Sequence, residues 1–76
     1  MKLNEAVGLA VNELTKAQER YSKFNSAHEG YAVILEEVDE LWSEIKKNPY
    51  YRNMDAMAKE ATQVAAMALR FLMDCC

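Results

Sequence analysis

Five glutamates crowd one side of a single stretch of chain. Between Ser26 and Lys47 the sequence carries Glu29, Glu36, Glu37, Asp39, Glu40 and Glu44 against only Lys46 and Lys47. Wound as a helix at ~100° per residue, Glu29, Glu36, Glu37, Glu40 and Glu44 fall within roughly 100° of one another. Glu37 and Glu44 border the apolar side, next to Leu41. Like charges three and four residues apart repel by about 0.2–0.5 kcal/mol per pair, and a divalent cation relieves that repulsion. A second polar pair, Glu60 and Gln63, lies three residues apart in a narrow stripe with Arg70 and Asp74. If the helices bearing the two sets pack antiparallel, Glu37, Glu40, Glu60 and Gln63 point into one cavity. An all-oxygen donor set suits Mg2+, or Mn2+, rather than zinc. The plain alternative is a solvated helix face, with Glu60 and Gln63 as a polar stripe on an oligomer surface.

Three helices must position these groups. In the first, Leu3, Val7, Ala10, Leu14, Ala17 and Tyr21 recur at spacings of four and three, and the stripe fades near Ser22 to Asn25. Gly8 weakens this helix by ~1 kcal/mol relative to alanine and suggests close approach of another helix. The second helix opens on Ser26 with Glu29 three residues later, the capping-box pattern. Tyr31, Ile34, Leu35, Val38, Leu41, Trp42 and Ile45 form its apolar face. Lys46 and Lys47 favour the negative end of the helix dipole, and Asn48-Pro49 stops the helix. Tyr50, Tyr51 and Arg52 form a loop. Asn53 then caps a third helix that runs to about Asp74, with Met54, Met57, Ala58, Ala61, Val64, Ala65, Ala68, Leu69 and Leu72 covering more than half its circumference. The expectation is an all-α, three-helix antiparallel chain, residues 1–76 as one domain, forming a helical bundle completed by homo-oligomerisation.

Composition bounds the partners. A chain of 76 residues, 51% hydrophobic, has more apolar surface than three short helices can hide, and a lone monomer of this size is marginal. Leu3, Val7, Leu14, Trp42 and the alanine-rich third helix are expected between subunits of a homodimer or homotetramer. There is no run of ~20 apolar residues, so no membrane span is expected, and the N-terminus does not read as a signal peptide. Cys75 and Cys76 are adjacent, cannot staple a loop, and read as free thiols in a cytoplasmic, reducing setting. The Ser26–Lys47 segment carries −4 of the net −3, leaving +1 for the rest. No basic patch marks a nucleic-acid surface, whereas an anionic substrate is accommodated if a divalent cation mediates.

Glu36-Glu37-Val38-Asp39-Glu40-Leu41, followed after a gap by Glu60-Ala61-Thr62-Gln63, resembles the paired motifs of the MazG-like nucleoside triphosphate pyrophosphohydrolases, EExxE and ExxD. Nineteen residues separate Glu40 from Glu60, and the Val64–Ala68 run is similar to small phage and bacterial members. The resemblance covers roughly residues 26 to 74. It implies an all-α homo-oligomer in which magnesium, held by carboxylates from two helices, binds the phosphates of a (deoxy)nucleoside triphosphate. Hydrolysis to monophosphate and pyrophosphate follows. By position, Glu37, Glu40 and Glu60 match metal ligands, with Gln63 as a fourth. Glu36 is an auxiliary carboxylate, and Glu36 or Glu40 serves as general base. The chain departs from the motif at Gln63, where aspartate is usual; glutamine offers a carbonyl oxygen but no charge.

Lys46, Lys47, Arg52, Lys59 and Arg70 are candidate phosphate contacts, Lys59 and Arg70 first among them, although each singly also reads as a solvated charge. His28 in a first turn reads as exposed, and Tyr31 and Trp42 as core or interface. Two further functions stay open: a non-catalytic module that binds nucleotide and metal, and a structural bundle that mediates oligomerisation with the acidic ridge as its solubilising face.

Overall fold

A computed structural model describes all 76 residues. It contains three α-helices and a short 3-10 turn: α1 Leu3–Arg20, α2 Ala27–Ile45, the turn Pro49–Tyr51, and α3 Met54–Cys75. There are no strands, and the helices pack as an all-α three-helix bundle.

Local chemistry sets the boundaries. Ser26 Oγ accepts the Glu29 N–H at 3.1 Å, but only half of the expected capping box forms. The Glu29 carboxylate instead accepts the Asn25 N–H at 3.0 Å and the Asn25 side-chain amide at 2.9 Å. These bonds hold the Glu29 carboxyl below the usual carboxylate range. At the far end of α2 the free carbonyl of Ile45 is met by Arg52 Nε at 2.9 Å. Lys47 folds back onto Glu44 instead. Asn48 Oδ1 accepts the Tyr50 N–H at 3.0 Å and holds the 3-10 turn. Tyr50 and Tyr51 stand exposed. Asn53 Oδ1 caps α3 by accepting from Asp55 and Ala56 at 2.9 and 3.1 Å, removing two orphan N–H groups.

Successive helices run antiparallel. α3 is central: it packs against both α1 and α2, which do not pack on each other. Leu14, Ala17, Phe24, Ala66 and Met67 form the core, flanked by Val33, Ile34, Leu69, Phe71 and Cys75. Of the α1 stripe only Ala10, Leu14 and Ala17 are buried; Leu3 and Val7 are exposed.

The α2 apolar face divides in two. Ile34, Leu41 and Ile45 lie half-buried on the side that meets α3, while Tyr31, Leu35, Val38 and Trp42 stand exposed. At ~100° per residue the exposed set lies on one flank of the stripe facing α3, and Glu29, Glu36 and Glu40 lie on the other. On α3 the same division recurs: Gln63, Met67 and Arg70 face one side, and the exposed Met54, Ala61, Ala65, Ala68 and Leu72 face away. The bundle is therefore a slab, 40 × 26 × 19 Å, with a polar side and an apolar side.

The close approach expected at Gly8 is not there, since a Cβ at that position would meet nothing within 4 Å. It occurs at Gly30, where a Cβ would sit 2.7 Å from Phe71 Cδ2 and 3.1 Å from Phe24 Cδ2. The buried Gly30 lets the first turn of α2 press onto these two rings.

Candidate metal centre

The antiparallel pairing of α2 with α3 brings Glu37 and Glu40 to Glu60. One carboxylate oxygen from each lies within 4.8 Å of the others. Glu37 follows Ile34 by three residues and precedes Leu41 by four, so it takes the place of an apolar residue on the stripe that meets α3. It is half-buried, as is Glu60, while Glu40 is exposed at the edge.

Two of these oxygens, Glu37 Oε2 and Glu60 Oε2, are shielded from water and have no hydrogen-bond partner. An orphaned buried oxygen costs about 1–3 kcal/mol, more when charged. The site responds electrostatically. Desolvation first, then the neighbouring charge of Glu40, the hydrogen bond that a protonated Glu37 gains with Glu40, and the charges of Glu60 and Glu36 push the Glu37 carboxyl up to about 7. Glu60 is raised by desolvation and by Glu40, with Lys59 opposing. Metal-free, the cluster thus holds a proton near neutral pH.

The donor set fits a hard cation. Oxygens around one octahedral Mg2+ at ~2.1 Å lie about 3.0 Å apart when adjacent and about 4.2 Å when opposite, so the three carboxylates must draw together by up to roughly 2 Å, a movement for glutamate rotamer changes. Two of the remaining ridge glutamates are otherwise engaged, and Glu36 lines an adjacent groove. Glu29 serves the α2 cap, and Glu44 is paired with Lys47.

Beside the cluster runs a groove of about 380 Å3. It exists because α1 and α2 stand apart on either side of α3. Val33, Glu36 and Glu37 form the α2 wall; Glu13, Lys16, Ala17, Arg20 and Tyr21 form the α1 wall; Gln63, Met67 and Arg70 form the floor. Gln63 is half-buried there beside Glu37. Lys59 lies off this groove. It lines an adjoining, more open cavity of about 640 Å3 that shares Glu13, Lys16, Arg20 and Gln63. His28 is exposed and lines neither cavity.

Arg70 departs most from the sequence expectation. It is buried, 6% exposed, and its guanidinium lies 4.2 Å over the Phe24 ring and 5.8 Å from the Tyr21 ring. It donates to the Ser22 carbonyl, and Arg70 Nε is 3.7 Å from Asp74 Oδ2, which in turn accepts the Phe24 N–H at 3.1 Å. Arg70 and Asp74 together latch the α1–α2 connector onto the last turns of α3. The polar stripe in the sequence is real, but half of it is turned inward to hold a loop.

The α1 wall escaped the sequence reading, which carried α1 as a packing element alone. Its signal was present: Glu13, Lys16 and Arg20 are spaced three and four apart and so share a face. No protein-family model matches the chain, and no curated protein or solved structure matches it.

Proposed function

We propose that the chain is a magnesium-dependent hydrolase of (deoxy)nucleoside triphosphates, yielding monophosphate and pyrophosphate in the manner of the MazG-like enzymes it resembles. One observation carries the reading: three carboxylates from two helices converge within 4.8 Å, and two of their oxygens are buried without a partner. Such a cluster needs a proton or a cation, and at neutral pH a divalent cation supplies more charge. Glu37, Glu40 and Glu60 would hold a magnesium ion, which when bound would supply phosphate-charge neutralisation and a lowered pKa of water. Glu36, exposed on the groove wall, or Glu40 accepts the proton of the attacking water. The water oxygen bonds to the α-phosphorus as the bridging P–O bond to the β-phosphate breaks, and its electron pair leaves with pyrophosphate. Gln63 offers its side-chain carbonyl from the groove floor as a neutral ligand.

The apolar side of the slab supports a homodimer or homotetramer. The chain exposes 5733 Å2, whereas a monomer of 8.7 kDa ordinarily exposes roughly 4,700 Å2. The excess, about 1,000 Å2, exceeds the ~800 Å2 that each partner contributes to a standard interface. Tyr31, Leu35, Val38, Trp42, Ala68 and Leu72 supply the face, away from the groove. No helix is long and apolar enough to cross a membrane, and the two free thiols suit a cytoplasmic, reducing location.

A second reading, a nucleotide- and metal-binding module without turnover, is favoured by the neutral Gln63. Pyrophosphate release from a panel of ribo- and deoxyribonucleoside triphosphates, with Mg2+, with Mn2+ and with chelator, separates the two. Metal-dependent release from any triphosphate is expected. None from any, by folded protein, overturns hydrolysis and leaves the binding module.

A further inference from the structure

The groove carries opposite charges on its two walls, and no ion pair crosses it. The protein's ion pairs are Lys47–Glu44 and Arg70–Asp74. Lys16 and Arg20 on the α1 wall are in neither, although Glu13 is one turn from Lys16 and Glu36 and Glu37 stand opposite. α1 and α2 do not pack on each other, and no ion pair neutralises one wall against the other. The floor contributes no free cation, because the Arg70 guanidinium is engaged by the Ser22 carbonyl, Asp74 and the Phe24 ring. What fits between is an anion chain that meets cations on the α1 side and a carboxylate-held metal on the α2 side. A groove of about 380 Å3 lies within the ~300–1,000 Å3 of small-molecule sites.

We propose that Lys16 and Arg20 of α1 are the groups that hold a polyphosphate across the groove from the Glu37–Glu40–Glu60 cluster. This rests on the metal-binding reading above and deepens it by assigning the phosphate contacts. Arg20 presents a planar fork that grips two phosphate oxygens, and Lys16 acts as a point charge one turn earlier. Lys59, on the adjoining cavity, is one wall removed from this position. Glu13 on the same wall sets the order of assembly. With three carboxylates facing the groove (Glu13, Glu36 and Glu37), a metal-free polyphosphate is repelled, and the magnesium complex is the species that enters.

The test uses the full chain and inorganic tripolyphosphate with Mg2+ in excess, titrated calorimetrically. Binding of Mn2+ alone is followed in parallel by loss of the free-ion electron paramagnetic resonance signal. Lys16 and Arg20 are exposed, so Lys16→Ala/Arg20→Ala should fold as wild type, checked by melting. The double variant should weaken tripolyphosphate binding at least about tenfold, as loss of charge-assisted hydrogen bonds does, and leave Mn2+ binding unchanged. Lys2→Ala/Lys46→Ala removes the same charge away from the groove and should bind tripolyphosphate as wild type. Wild-type binding by the Lys16/Arg20 variant, or equal weakening in the control pair, overturns the proposal. Failure of wild-type protein to bind Mn2+ would instead refute the carboxylate site. Tripolyphosphate binding that still depends on Lys16 and Arg20 would then uphold the cation assignment by itself.

Discussion

Replacing Glu37 by glutamine should largely remove the protein's response to pH and to magnesium. Glu37 titrates near 4.5 when unfolded and near 7 in the metal-free fold. Between those values the folded chain holds a proton that the unfolded chain has released. Stability is therefore greatest below the unfolded value and is lost as pH rises through about 7. At ~1.36 kcal/mol per pH unit this amounts to at most about 3.4 kcal/mol. Glu37 is only half-buried, so solvent screening leaves about 1–2 kcal/mol. In a domain of this size that corresponds to a fall in Tm of roughly 5–15 °C between pH 5 and pH 8. Saturating Mg2+ displaces the proton and restores stability at high pH, by about 1.4 kcal/mol at ten times Kd. Glu37→Gln keeps the shape, removes the titrating group and donates an amide to Glu40 and Glu60. At pH 8 without metal it should melt higher than wild type, show a flatter pH profile and gain little from Mg2+. The assay is melting by circular dichroism from pH 5 to 8.5, with 10 mM Mg2+ or with chelator. A variant whose pH slope and Mg2+ gain both match wild type would refute the assignment of Glu37 to the centre.

Gln63→Asp restores a charge to the groove floor. It should tighten Mn2+ binding several-fold in an equilibrium titration, and an unchanged Kd would place Gln63 outside the metal's reach. Arg70→Ala leaves Asp74 buried and uncompensated, a loss of about 3–5 kcal/mol, which should leave the chain largely unfolded at 37 °C by circular dichroism. Melting should also separate the two glycines by sign: Gly30→Ala overpacks against Phe71 and Phe24 and costs about 1–3 kcal/mol, whereas Gly8→Ala gains up to ~1 kcal/mol. Sedimentation at micromolar concentration should find a dimer or tetramer, and Leu35→Glu/Val38→Glu should give monomers; a wild-type monomer would remove the oligomer from the picture.

What the sequence discloses divides by range. Helix ends are local chemistry, so Ser26, Asn48-Pro49 and Asn53 mark them correctly. The convergence of Glu37, Glu40 and Glu60 is also legible, because helical spacing and an antiparallel hairpin leave few other arrangements. Features that depend on a third element are not. Whether a glycine is needed depends on which ring passes over it, and only the tertiary fold sets Phe71 and Phe24 above Gly30. Arg70 reads as a surface cation until the connector places Tyr21 and Phe24 beside it. The α2 apolar residues read as one face, yet α3 covers only half of them, since a helix neighbour meets a narrower stripe than Tyr31–Ile45 presents.

The arrangement of α1 and α2 on opposite sides of α3 also shapes how the chain comes to fold during synthesis. The first two helices have no tertiary partner in each other, and in proteins most helical stability comes from packing an amphipathic face rather than from propensity. Their partner is α3, and contacts such as Phe24 with Asp74 span 50 residues. On a ribosome the N-terminal half therefore waits, its apolar stripes uncovered, until α3 has emerged. The three helices then condense together around α3, in one step.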